Sequence, residues 1–162
     1  GLPCVVLLHD TNLTGKITGH YLPPKQDPLK RVRAWKETAR VVGETRAQLL
    51  AEGKPVFIIG GHYGITSEIS FYLPEARAGV PDQPLVYYQT TERPENQFHF
   101  WPGYSGRKGE NAILVLQTRT PAAPPQRIVD EFTTVTDLGL KDALYRGRVY
   151  RQVQLFACRG LR

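Results

Sequence analysis

Apolar residues recur at helical spacing over one long stretch and run almost unbroken over several short ones. Leu29, Val32, Trp35, Ala39, Val42 and Leu49 keep the spacing that lines one face of a helix. Asp27 stands before them as a candidate N-cap, Pro28 suits a first turn and Gly53 a C-cap, so a helix is expected over 28–52. Val56, Phe57, Ile58 and Ile59 then form a continuous apolar run between Pro55 and the pair Gly60-Gly61. A run of this kind reads as a strand buried on both faces, usually in a parallel sheet. Ile65, Ile69, Tyr72 and Leu73 return to helical spacing, with Thr66 or Ser67 as a cap and Pro74 as the stop. Further strands are expected at 85–89 and 112–117. Residues 132–140 and 148–158 alternate in character. Val149, Arg151, Val153, Leu155 and Ala157 fall on one face of the second run, and Gly147 marks a hairpin turn before it. Residues 11–15 and 21–24 read as loop, and 90–111 as a long loop of polar and aromatic residues.

This order of elements predicts an α/β fold: a Rossmann-like three-layer domain with a mostly parallel sheet and a C-terminal antiparallel hairpin. A length of 162 residues, 41% of them hydrophobic, is enough for one domain with a real core and excludes wholesale disorder. No apolar run approaches the 18 residues or more of a membrane span. The chain begins Gly1-Leu2-Pro3 and contains no Met, which reads as an excised piece of a longer protein.

The balance of 21 Lys and Arg against 15 Asp and Glu gives +6. A basic excess favours nucleic acid, an anionic membrane surface or phosphorylated ligands. The charges are scattered, and the densest group (Lys30, Arg31, Arg33, Lys36 and Arg40) falls on the predicted helix as a solvated face, so no nucleic-acid partner is expected. Cys4 and Cys158 form no CxxC pair. They read either as buried thiols or as a disulfide tying the two ends.

Two stretches carry candidate chemistry. Gly61, His62, Tyr63, Ser67 and Glu68 lie where a buried strand opens into a helix. Ligands gather at the carboxyl ends of parallel strands, and the amides of a helix N-terminus favour anions. The glycines do not match G-x-G-x-x-G, and there is no Walker lysine, so the alternative is a tight structural turn. His62 is a candidate acid, base or anion ligand, with Glu68 nearby in sequence. No G-x-S-x-G or H-E-x-x-H is present, and the four histidines are dispersed, so neither a catalytic triad nor a metal or other cofactor is expected. The second stretch holds His99 and Trp101 among further aromatics. It reads as a platform for a sugar, headgroup or base, or as a plug at the end of the core.

Several segments resemble the bacterial members of glycosyltransferase family 39, the dolichyl-phosphate-mannose–protein mannosyltransferase-like membrane enzymes. Residues 27–35 are similar to the family's D-P-x-x-R-x-R-G-W segment through Asp27, Pro28, Arg31, Arg33 and Trp35, with Ala34 in place of Gly. Residues 63–74 resemble Y-x-x-x-S-E-L-A-F-Y-L-P through Tyr63, Ser67, Glu68, Phe71, Tyr72, Leu73 and Pro74. Gln97, Trp101 and Pro102 resemble its Q-Y-x-x-W-P region, and 156–160 its Y-x-C-x-G ending.

The resemblance covers 27–160. It implies a domain that follows a many-helix membrane region whose donor is a polyprenyl-phosphate-linked sugar. The presumed catalytic acid of that family lies in the membrane region, so no catalytic residue is carried over. Residues 1–26 are then an extension or linker from the membrane region, and 27–162 a single domain on the extracytoplasmic, periplasmic face. The implied partners are the transmembrane domain of the parent chain and a polyprenyl-phosphate sugar headgroup or an acceptor glycan or protein. Two rival readings remain: a standalone Rossmann-like module for a nucleotide or sugar nucleotide, and a carbohydrate- or protein-interaction domain.

Overall fold

The computed structural model describes residues 12–78, 83–89 and 103–162. Five helices and five strands occur among them: α1 (Asn12–Thr18), α2 (Lys30–Leu50), β1 (Val56–Gly60), α3 (Tyr63–Tyr72), α4 (Pro74–Arg77), β2 (Val86–Tyr88), β3 (Asn111–Leu116), α5 (Gln126–Glu131), β4 (Phe132–Tyr145) and β5 (Arg148–Leu161). The strands form one sheet in the order β2-β1-β3-β5-β4.

This sheet corrects the expected Rossmann-like, mostly parallel architecture. Parallel pairing is confined to β1 with its neighbours β2 and β3. The sheet is mixed and mostly antiparallel, because β5 pairs antiparallel with both β3 and β4, and β4 and β5 are each 14 residues long. The hairpin is part of the body of the sheet rather than an appendage. Its turn is two residues, Arg146 and Gly147, both at positive φ (52° and 70°). That pair of left-handed residues matches the twist of two antiparallel strands and forces the chain straight back.

β5 is central, and its sequence shows why. Val153, Leu155 and Ala157 join one core, while Phe156, Cys158 and Leu161 join the other. α2 and α3 cover the first face, placing Val42, Leu49, Ile65, Ile69 and Leu73 against Val56, Ile58, Ile113 and Val115. On the second face Ile128 of α5 and the buried Tyr104 pack on Phe57, Tyr87, Leu114 and Phe132.

α2 begins at Lys30, with Leu29 at the cap position and no side-chain cap bond there. Asp27 instead accepts the Leu29 amide at 3.0 Å. α3 starts at Tyr63, earlier than the predicted Thr66 or Ser67 cap, because His62 does the capping: its Nδ1 accepts the Gly64 amide at 3.1 Å. Leu73 is extended, as a residue before proline prefers, and Pro74 opens the short α4 rather than simply ending the chain's helical course. Two helices, α1 and α5, fall where loop or connection is expected from sequence. Among the described residues no helix is long and apolar enough to cross a membrane.

Cys158 is buried in the second core, where desolvation pushes its thiol up to about 12. Cys4 lies outside the described residues, so its pairing with Cys158 is not placed. In a Cys4→Ser variant, Cys158 is expected to react with iodoacetamide at pH 8 about a thousandfold more slowly than a free thiol, since thiolate is the nucleophile. Mass-spectrometric labelling rates check this, and fast labelling of the folded chain would overturn it.

Candidate functional site

β1, β2 and β3 are parallel, so their carboxyl ends share one edge of the sheet. α2 precedes β1 and packs back along the sheet, which brings Lys30 and Arg31 of its first turn to this same edge. β5 runs antiparallel to β3 with Leu116 opposite Gln154, so Tyr150, Arg151 and Gln152 project beyond the end of β3. Two adjoining grooves result. One, of about 440 Å³, is lined by Gly61, His62, Leu116, Gln117, Thr118 and Ala122. The other, of about 520 Å³, is lined by Lys30, Arg31, Gln117, Thr118, Arg119, Tyr150, Arg151 and Gln152. Gln117 and Thr118 line both.

The glycine pair is explained by close approach. A Cβ on Gly60 would stand 2.2 Å from Thr66 Oγ1 and 3.0 Å from the Thr66 backbone. On Gly61 it would stand 2.4 Å from Leu116 Cδ2. The missing side chains let α3 start directly against the ends of β1 and β3, and the Gly61 amide donates to Val115 O at 3.0 Å. His62 is exposed, with its ring 4.1 Å from that of Tyr63. Ser67 turns its Oγ back to the Tyr63 and Gly64 carbonyls, both at 3.1 Å, so it serves its own helix.

Glu68 lies outside both linings but feels the charge of Arg151. Burial pushes its carboxyl above the usual carboxylate range, and the charge of Arg151 opposes that push. Thus Gly61 and His62 share a groove, and the Tyr63 ring lies tilted beside His62. His99 and Trp101 lie outside the described residues.

Arg151 is the residue that sequence reasoning missed. Its guanidinium lies 3.4 Å over the Trp35 ring. Its Nε and Nη1 are sealed from solvent and have no hydrogen-bond partner among the described residues. A buried donor left without an acceptor costs about 1–3 kcal/mol. Desolvation accordingly lowers the Arg151 pKa; Glu68 raises it and Arg31 lowers it further. The signal was its phase. Arg151 shares the phase of Val149, Val153, Leu155 and Ala157, the last three of which face the helix-covered core, and an arginine in that series calls for a reason.

Arg107 shows how this protein satisfies an arginine elsewhere. It lies over Phe57 and Tyr87 at 5.5 and 5.4 Å. It also donates to the Tyr87 hydroxyl and to Glu110, both at 2.8 Å, and to the Pro84 carbonyl at 3.1 Å.

Behind the second groove sits a buried polar node. Asp27 Oδ2 accepts from Arg33 Nη1 at 2.6 Å and from the Tyr150 hydroxyl at 3.0 Å. Burial, and then the hydrogen bond to Asp27, raise the Tyr150 pKa, so the hydroxyl stays a donor. This node locks the start of α2 to β5, and so fixes Lys30 and Arg31 relative to Arg151.

Gln154 does the same for the other wall. It is fully buried, exchanges bonds of 2.7 and 3.0 Å with the Ala122 amide and carbonyl, and donates to Asp137 at 2.8 Å. No group of three His, Cys, Asp or Glu side chains suited to a metal ion occurs among the described residues. No family model, curated protein or solved structure matches the chain.

Proposed function

We propose that this chain is the noncatalytic C-terminal domain of a membrane-integral glycosyltransferase that takes its sugar from a polyprenyl-phosphate donor. It sits on the extracytoplasmic, periplasmic face against the transmembrane domain of the same parent chain. There it shapes the access of an acceptor glycan or protein to the active-site mouth.

One observation carries this reading. The segment 27–35, which resembles the family's D-P-x-x-R-x-R-G-W stretch, borders the basic groove, with Arg31 in its lining. Arg33 pairs with Asp27, Trp35 lies under Arg151, and Arg31 and Glu68 both act on the charge of Arg151. The linings of the two grooves offer cations, amides and hydroxyls, which are groups that bind, and neither lining includes a carboxylate.

Two measurements test the proposal. The isolated chain, supplied with a polyprenyl-phosphate sugar and an acceptor, is expected to give neither transfer nor hydrolysis, and robust turnover would overturn its noncatalytic role. The reading frame upstream of Gly1 is expected to encode many hydrophobic spans. An initiator Met immediately upstream would overturn the link to a membrane enzyme.

A further inference from the structure

We propose that the groove between the start of α2, the end of β3 and the start of β5 is an anion site that takes a phosphate or phosphate-ester group. The cations that would hold it are Lys30, Arg31, Arg119 and Arg151. This inference stands on the groove alone and does not need the accessory-domain reading.

Four cationic side chains from three separate parts of the chain line one groove of about 520 Å³, and no carboxylate lines it with them. Gathering like charges is unfavourable unless something of opposite sign offsets it. Of the nearby acids, Asp142 lies outside the lining and accepts from Gln152 at 2.9 Å. Asp27 is bound to Arg33 and Tyr150. Glu68 acts on Arg151 from outside the lining, and its own burial disfavours its charged form. Lys30, Arg31 and Arg119 have no ion-pair partner among the described residues.

Arg151 adds the second observation. Two of its guanidinium nitrogens are buried without an acceptor among the described residues while its plane is clamped on Trp35. The Arg107 guanidinium, stacked in a similar way, is instead met by a hydroxyl, a carboxylate and a carbonyl. The sealed Nε and Nη1 mark a guanidinium held flat on Trp35 without a neutralising partner, so its charge, with Nη2 outside that seal and further cations around it, is left to an anion in the groove. Gln117 in the same lining supplies a neutral amide for an ester or hydroxyl oxygen, while Tyr150, Gln152 and Thr118 already donate to Asp27, Asp142 and the Thr120 carbonyl.

The test is calorimetric titration of the whole chain with inorganic pyrophosphate at low ionic strength, beside flotation with phosphatidylcholine vesicles with and without phosphatidic acid. Saturable binding that weakens as salt rises is expected. Arg31 and Arg119 are exposed, so the double variant Arg31→Gln, Arg119→Gln is expected to keep its melting temperature. It should lose about tenfold or more in affinity. Arg151→Lys keeps the charge but not the fork, and is expected to weaken binding as well.

Binding of pyrophosphate alone assigns a soluble phosphate ester. Binding of phosphatidic acid vesicles alone assigns a lipid headgroup. Binding of neither probe overturns the proposal, as does binding that the folded double variant retains in full.

Discussion

Asp27→Ala is expected to destabilise the chain by about 3–5 kcal/mol, the usual consequence of removing one partner from a buried ion pair. The Asp27 side chain is fully buried, and that of Arg33 is 13% exposed. Alanine would take the carboxylate away from Arg33, remove the acceptor of the buried Tyr150 hydroxyl, and release the Leu29 amide that Asp27 Oδ1 receives. In a chain of this size that loss lowers the melting midpoint by roughly 10 °C. Asp27→Asn keeps the shape and one of the two acceptor oxygens but loses the charge and turns the other oxygen into a donor, so a loss between those of Tyr150→Phe and Asp27→Ala is expected. Tyr150→Phe removes a single hydrogen bond and should cost about 1 kcal/mol. Denaturant titration of the three variants checks the order. Equal losses for Asn and Ala would show that the charge and the second acceptor together carry all of the effect, and no loss in Ala would show that the node holds nothing together. Because the node ties α2 to β5, the alanine variant should also weaken anion binding more than Tyr150→Phe does.

The same residues show how far the sequence can be read. The helix expected over 28–52 is present as Lys30–Leu50, because its apolar spacing is long and regular enough to outweigh local detail. The proximity of Asp27 to a helix start was legible, but its main role was not. A cap is a local bond, whereas the pairing with Tyr150 joins residues 123 apart in sequence. Likewise His62 was legible as a candidate acid, base or ligand, and the structure places its Nδ1 in the cap of α3.

The sheet was misread for a related reason. Buried runs at β1 and β3 suggest parallel strands, and those two do pair in parallel. Nothing local reveals that β5 slots between β3 and β4, since strand order depends on which edges meet. The clue lay in composition: residues 153–158 are buried on both sides, as only a central strand can be. Helices α1 and α5 are short, and their stability comes from docking rather than pattern. Gly15 of α1 packs against Tyr21, whose ring lies 3.7 Å from the Arg146 guanidinium at the hairpin turn. The basic face of α2 was read as solvated, and for Arg40, paired with Glu37 and Glu44, it is. Lys30 and Arg31 differ only because β5 delivers Arg151 beside them.

Phe57→Ala should be as damaging as Asp27→Ala, and it tests whether β1 is buried on both faces. Strand β1 sends Phe57 and Ile59 into one core and Val56 and Ile58 into the other. Phe57 is fully buried, with ring centroids of Tyr87, Tyr104 and Phe132 at 5.5, 5.4 and 6.3 Å and the Arg107 guanidinium above it. Truncation to alanine is expected to cost about 3–5 kcal/mol, part of it transfer and part of it the cavity left among rings that cannot close in. Ile58→Ala, on the opposite face, is expected to cost about 2–5 kcal/mol. If β1 covered a single core, one of the two neighbouring substitutions would be nearly neutral in denaturant titration, and the two-sided sheet would be wrong. Both losses together would mean that the carboxyl edge of β1, and with it the cleft, rests on a strand held from both faces. Phe57 lies on the face away from α2 and α3. Phe57→Ala should therefore lower stability while leaving pyrophosphate affinity of the folded fraction unchanged, whereas Asp27→Ala should lower both.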